Sequence, residues 1–189
     1  KLKAKQIIKN GKMDALNTAL FGYVKNGLNT LPTSEQIYEP DKFFIDERYE
    51  EFSVESIDVD GYTLIDEGSI GALDLVYLMQ DKIGQKNAVN AAIGIGGGYW
   101  KVYVDASGNL LMTLKLTGDD QVELQEIYDA FILWADAQPR FNNKESLVGG
   151  SLYLGDTNFW ISLDKSFIRI VLSQDIDLLN TISNKLNDL

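Results

Sequence analysis

Glycines, paired acids and three tryptophans are the residues whose types and spacing could carry chemistry in this chain. Residues 94–98 read Gly-Ile-Gly-Gly-Gly, a run small enough to bring backbone amides against a phosphate. A dinucleotide site needs a strand, then the glycines, then a helix whose N-terminus faces the phosphates. Here the predicted order is helix, glycines, strand. Tyr99 stands where the last glycine is required, and no Gly-Lys-Ser or Gly-Lys-Thr follows. Gly96, Gly97 and Gly98 are therefore expected to end a helix sharply and let neighbouring backbone pack close. At least one of them is expected at positive φ. The rival reading makes them, with Trp100 and Trp160, a ligand or partner surface. The two tryptophans open comparable segments, Tyr99-Trp100-Lys101-Val102-Tyr103 and Phe159-Trp160-Ile161-Ser162-Leu163, and core packing is the competing use of both.

Acids offer two further chemistries. Ser56, Asp58, Asp60, Gly61 and Glu67 can be laid on the ligand positions of a calcium loop, but the first position should be Asp and the flanks helical. A strand turn fits better, so calcium near Asp58 and Asp60 stands as the one cofactor candidate. The pairs Glu50-Glu51, Asp66-Glu67 and Asp119-Asp120 invite acid–base hydrolysis, which needs two carboxyls about 5–10 Å apart across a cleft. Helix capping and dipole compensation explain Asp119-Asp120 more simply. No catalytic residue is assigned.

Composition closes other routes. The chain has no histidine and no cysteine, so a Ser-His-Asp triad, a Cys-His pair, a thiolate or imidazole zinc site and a disulfide cannot be built from it. Its formal net charge of −11 repels nucleic-acid phosphates and anionic lipid headgroups. No apolar run reaches the roughly 20 residues that span a bilayer.

The elements that must position these residues follow from periodicity. Residues 1–45 form a helical lead segment, with Thr33 or Ser34 as a cap. Phe52, Val54, Ile57 and Val59 alternate as a strand, Asp60-Gly61 turns, and residues 62–65 return. Ser69 caps a helix to about Lys82, and a second helix covers residues 86–93. A hairpin over residues 99–117 turns at Ser107-Gly108-Asn109 and leads to a helix over residues 119–137. Residues 140–150 form a polar loop. An extra short strand over residues 151–154 is expected before a second hairpin over residues 159–172 with its own helix. The expected fold is α+β: one domain over residues 1–189, an antiparallel sheet from two β-β-α units, and helices packed on one face. Its parts are 1–45, 46–138 and 151–189.

Three segments resemble a known family. Residues 31–43 read LPTSEQIYEPDKF, residues 64–71 LIDEGSIG and residues 90–99 NAAIGIGGGY. They are similar to a family of uncharacterised, secreted prokaryotic zincin-like metallopeptidases, where the first segment runs P-x-S-T-E-Q-I-L-H-P-E-K-Y and the last A-A-x-G-W-G-G-D-R-Y. The family's HExxH helix lies upstream of this region and is absent from these residues. The chain also departs from the pattern at Glu39, Ala72, Ile95 and Gly98, so no catalytic residue carries over. The resemblance implies a non-catalytic accessory or substrate-positioning domain of an extracellular or cell-envelope protein, with a protein or peptide partner. The alternatives are a stand-alone extracellular binding or scaffold protein, and a hydrolase using Asp or Glu.

Overall fold

A computed structural model describes residues 57–147 and 149–187. The expected lead segment, its cap, Phe52 and Val54 lie outside the described residues. Strand β1 (Tyr62–Ser69) is followed by helices α1 (Ala72–Ile83) and α2 (Gln85–Ala92), then by β2 (Ile95–Asp105), β3 (Leu110–Gly118) and α3 (Gln121–Asp136). Four strands complete the sheet: β4 (Phe141–Leu147), β5 (Gly150–Gly155), β6 (Asn158–Leu163) and β7 (Ile168–Ser173). Helix α4 (Ile176–Asn187) follows them. All seven strands form one antiparallel sheet in the order β1-β2-β3-β7-β6-β5-β4. The expected α+β class with an antiparallel sheet is what the chain adopts.

Aspartates set the local geometry of both hairpin units. The Asp105 carboxylate accepts from the Ser107 and Asn109 amides at 2.9 and 2.8 Å, closing the β2–β3 turn, where Gly108 takes φ 86°. Asp164 accepts from the Ser166 and Phe167 amides at 2.7 and 2.8 Å in the β6–β7 turn. Asp120 then caps α3 through the Val122 and Glu123 amides, and Asp175 caps α4 through Asp177 and Leu178. Each cap satisfies donors that a helix start otherwise leaves open.

Side-chain alternation assigns the two faces. Leu111 and Val171 lie on one face with Trp160, Tyr103 and Leu152, and there they pack with Leu179, Ile182 and Leu186 of α4. Phe159, next to Trp160, points to the other face. It meets Trp134 of α3 edge-on at 5.7 Å between ring centroids, within a group that includes Phe131, Phe141 and Tyr153. Helix α3 buries Leu124, Ile127, Phe131 and Trp134, a spacing that makes one stripe, and α1 and α2 pack against it. Helices α3 and α4 thus sit on opposite faces and not on the one face expected, because adjacent strand residues such as Phe159 and Trp160 are both apolar and each side of the sheet needs a cover.

Several boundaries move for physical reasons. Strand β1 runs through Ser69, so the cap of α1 is Gly71, whose amide donates to Asp74 at 2.9 Å. Ile57 to Val59 is irregular and leads into the expected Asp60-Gly61 turn. The expected polar loop after α3 contains an edge strand, β4. Its side chains are mostly exposed and polar, so it lacks the apolar alternation that marks a half-buried strand.

The glycine run also differs from expectation. Strand β2 begins at Ile95, so Gly96, Gly97 and Gly98 lie inside it and are buried. Among the described residues, the glycines at positive φ are Gly61, Gly84, Gly108 and Gly149, none of them in this run. Space is the reason for two of the three. A β-carbon on Gly96 would stand 2.9 Å from the Gly118 carbonyl oxygen, and one on Gly98 would collide with Ile70 and Leu116. Gly98→Val is therefore expected to destabilise the fold by about 1–3 kcal/mol through overpacking. That lowers the melting temperature by roughly 2–10 °C in a chain of this size. An unchanged melting curve by circular dichroism would refute the close-approach reading.

Candidate functional site

The sequence-derived site residues are dispersed. Trp160 is fully buried between β5 and β7, under α4. As placed, it offers no surface to a partner. Trp100 pairs with Leu114, which pairs with Ile170, which pairs with Ile161, so it faces the side opposite Trp160. The two tryptophans match in sequence and not in space. Trp100 is half-buried against Gly68, where a β-carbon would lie 3.0 Å from its ring. Asp58 and Asp60 are exposed beside the turn before β1, and the Asp58 carbonyl accepts from the Lys185 ammonium at 3.1 Å. Of the acid pairs, Asp119-Asp120 marks the start of α3 and Asp66-Glu67 lies on β1, and Glu50-Glu51 falls outside the described residues.

What the sequence reading missed is a row of cations inside the sheet. Lys101 of β2, Lys115 of β3 and Arg169 of β7 share a face with Thr113, Thr117 and Ser162, and all six are buried. Lys115 and Arg169 are direct cross-strand partners, an arrangement that destabilises a sheet unless it is compensated. Part of the compensation comes from the β6–β7 turn. Asp164 forms an ion pair with Arg169, and the Phe167 ring lies 4.0 Å from the Lys115 ammonium and 5.7 Å from the Arg169 guanidinium. Cation–ring contacts of this kind contribute about 0.5–2 kcal/mol, more when desolvated. Glu67 lies 3.8 Å from Lys101, and Lys101, Lys115 and Phe167 make further contacts. The signal available in sequence was a basic residue inside an apolar strand run, as in Thr113-Leu114-Lys115-Leu116 and Ile168-Arg169-Ile170.

A cavity of about 340 Å³ opens beside this row, lined by Thr117, Asp120, Gln121, Leu124, Lys165 and Phe167 among others. Three of its polar side chains already have structural partners. The Asp120 carboxylate caps α3, the Gln121 amide donates to the Lys165 carbonyl at 3.2 Å, and the Thr117 hydroxyl donates to the Gly118 carbonyl at 3.3 Å.

A second polar cluster ties the β4 edge to α3. The Tyr153 hydroxyl and the Lys144 ammonium both donate to Asp136, at 2.8 and 3.0 Å. Burial works against the charge on Lys144, but its bonds to Tyr153 and Asp136 outweigh that and raise its pKa. Burial raises the Tyr153 pKa as well. Both shifts favour the protonated forms, the opposite of what a nucleophile or general base at neutral pH requires.

Among the described residues, no three His, Cys, Asp or Glu side chains converge as metal ligands, and no helix is long and apolar enough to cross a membrane. Compared with family models, curated proteins and solved structures, the chain matches none.

Asp164 offers a test of the cation row. Burial pushes its pKa up, but amide bonds from Ser166 and Phe167 and the Arg169 guanidinium outweigh this and hold it low. A carboxyl with a depressed folded pKa contributes stability above its unfolded pKa of about 3.9, and that contribution is lost as pH falls through the folded value. Asp164→Asn is therefore expected to cost about 1–3 kcal/mol at pH 7, since it leaves the buried guanidinium without its counter-charge. It should also flatten the fall of melting temperature below about pH 4. Parallel acid limbs for both proteins would overturn the assignment.

Proposed function

We infer that this chain is a non-catalytic module that positions a protein or peptide partner within a secreted zincin-like protein. The resemblance of residues 31–43, 64–71 and 90–99 supports the peptidase context. The observation that carries the positioning role is the use of the acids. Asp105, Asp120, Asp164 and Asp175 each accept two backbone amides at a turn or cap, and Asp136 holds Tyr153 and Lys144. These five carboxylates are held at turns, caps and the β4 edge, where their structural donors account for their placement. Strand β1, exposed at the edge of the sheet, also supports the alternative of a stand-alone extracellular binding protein.

The purified chain, assayed on casein and on chromogenic glycosides with added zinc or calcium, is expected to show no turnover above buffer. Turnover abolished by a single Asp or Glu substitution would establish the acid–base hydrolase instead. The encoding gene separates the other two readings. An HExxH motif upstream in the same reading frame is expected, whereas a signal peptide joined directly to Lys1 points to the stand-alone protein.

A further inference from the structure

The two edges of the sheet are built differently. Strand β4 carries Asn142, Asn143, Lys144 and Glu145 in succession, and Lys144 is anchored to Asp136. A charged edge of this kind resists pairing with another chain. Strand β1 has no lysine and no arginine. Thr63, Leu64, Ile65, Asp66 and Glu67 are all exposed, although consecutive side chains point to opposite faces. Leu64 and Ile65 are 41% and 56% exposed. On the side away from β2, the backbone of β1 pairs with no other strand among the described residues, although the Tyr62 amide donates to the Val59 carbonyl and the Glu67 amide to the Asp66 carboxylate, both at 3.0 Å.

We propose that β1 takes an extended cationic peptide segment as an added strand. Main-chain bonds to the open edge supply affinity, and side chains on alternate positions supply selectivity. Leu64 and Ile65 offer apolar contact, while Asp60, Asp66 and the exposed side of Glu67 select basic side chains. The register shift between Leu64 and Asp66 interrupts the ladder, which suits a short segment better than a long one. A second copy is a poor occupant, because the net charge of −11 makes two copies repel. The inference rests on the positioning reading and names its partner class.

The test uses the whole 189-residue chain. The probe is a capped peptide of about nine residues, long enough to span a typical strand, alternating Lys and Val. Amide shifts in a ¹H–¹⁵N spectrum are expected to concentrate in residues 62–69, and affinity is expected to fall as salt is raised. Methylating the backbone nitrogens on one side of the peptide removes its donors to the edge and should weaken binding about tenfold. Asp66→Lys, with folding checked by circular dichroism, should weaken binding by about two- to fivefold, as for an exposed ion pair. A peptide alternating Glu and Val should not bind. No shifts in residues 62–69 at saturating peptide, or equal binding of the methylated peptide, would overturn the proposal. So would self-association of the chain by sedimentation that Ile65→Pro abolishes, because the edge would then belong to a second copy. None of these outcomes depends on the hydrolase assays or the gene context, so this proposal and the positioning reading can fail separately.

Discussion

The ladder between β3 and β7 is the constraint on which the structure depends. It joins β1-β2-β3 to β7-β6-β5-β4, with register partners running from Leu111 with Ser173 to Leu116 with Ile168. Because side chains alternate along a strand, this register fixes which residues share a face. It puts Leu111 with Val171 beneath α4, and Leu114 with Ile170 on the opposite face. A slip of one residue would turn one strand over relative to the other, setting Arg169 and Lys115 on opposite faces and separating Ile170 from Leu114.

The same ladder brings two cations into direct opposition within the sheet. A buried charge is tolerated only when it is paired and hydrogen-bonded. The β6–β7 turn helps to meet that demand, since Asp164 both closes the turn and pairs with Arg169. Phe167, at the end of that turn, lies near both cations. Turn geometry and charge compensation are thus one local structure, and the Arg169 Nε still lacks a hydrogen-bond partner among the described residues.

Polar resources elsewhere follow a similar rule. Carboxylates stand where backbone amides would otherwise be unsatisfied, at both hairpin turns and at the starts of α3 and α4. The Tyr153, Asp136 and Lys144 cluster fixes the β4 edge to the helix layer. Among the described residues, strand β1 receives no comparable anchor from side chains: its ion pair is Glu67 with Lys101, at 3.8 Å. The polar and aromatic interactions that stiffen the rest of the sheet leave this edge strand exposed.

The sequence by itself determined the α+β class, both hairpins, the Asp60-Gly61 turn and the helix that ends before Pro139. Those features rest on local periodicity and on residues that favour turns and caps, which act within a few positions of themselves. It also excluded histidine and thiolate chemistry, since composition needs no fold to be decisive. Tertiary structure alone decided that Trp100 and Trp160 face opposite sides, because a segment match says nothing about strand register. It alone turned the glycines at 96–98 from a helix end into the start of a strand, because the reason for Gly96 is the Gly118 backbone beside it. The meeting of Lys101, Lys115 and Arg169 on one face comes from three strands separated in sequence. Only the pairing of β2 with β3, and of β3 with β7, brings them together.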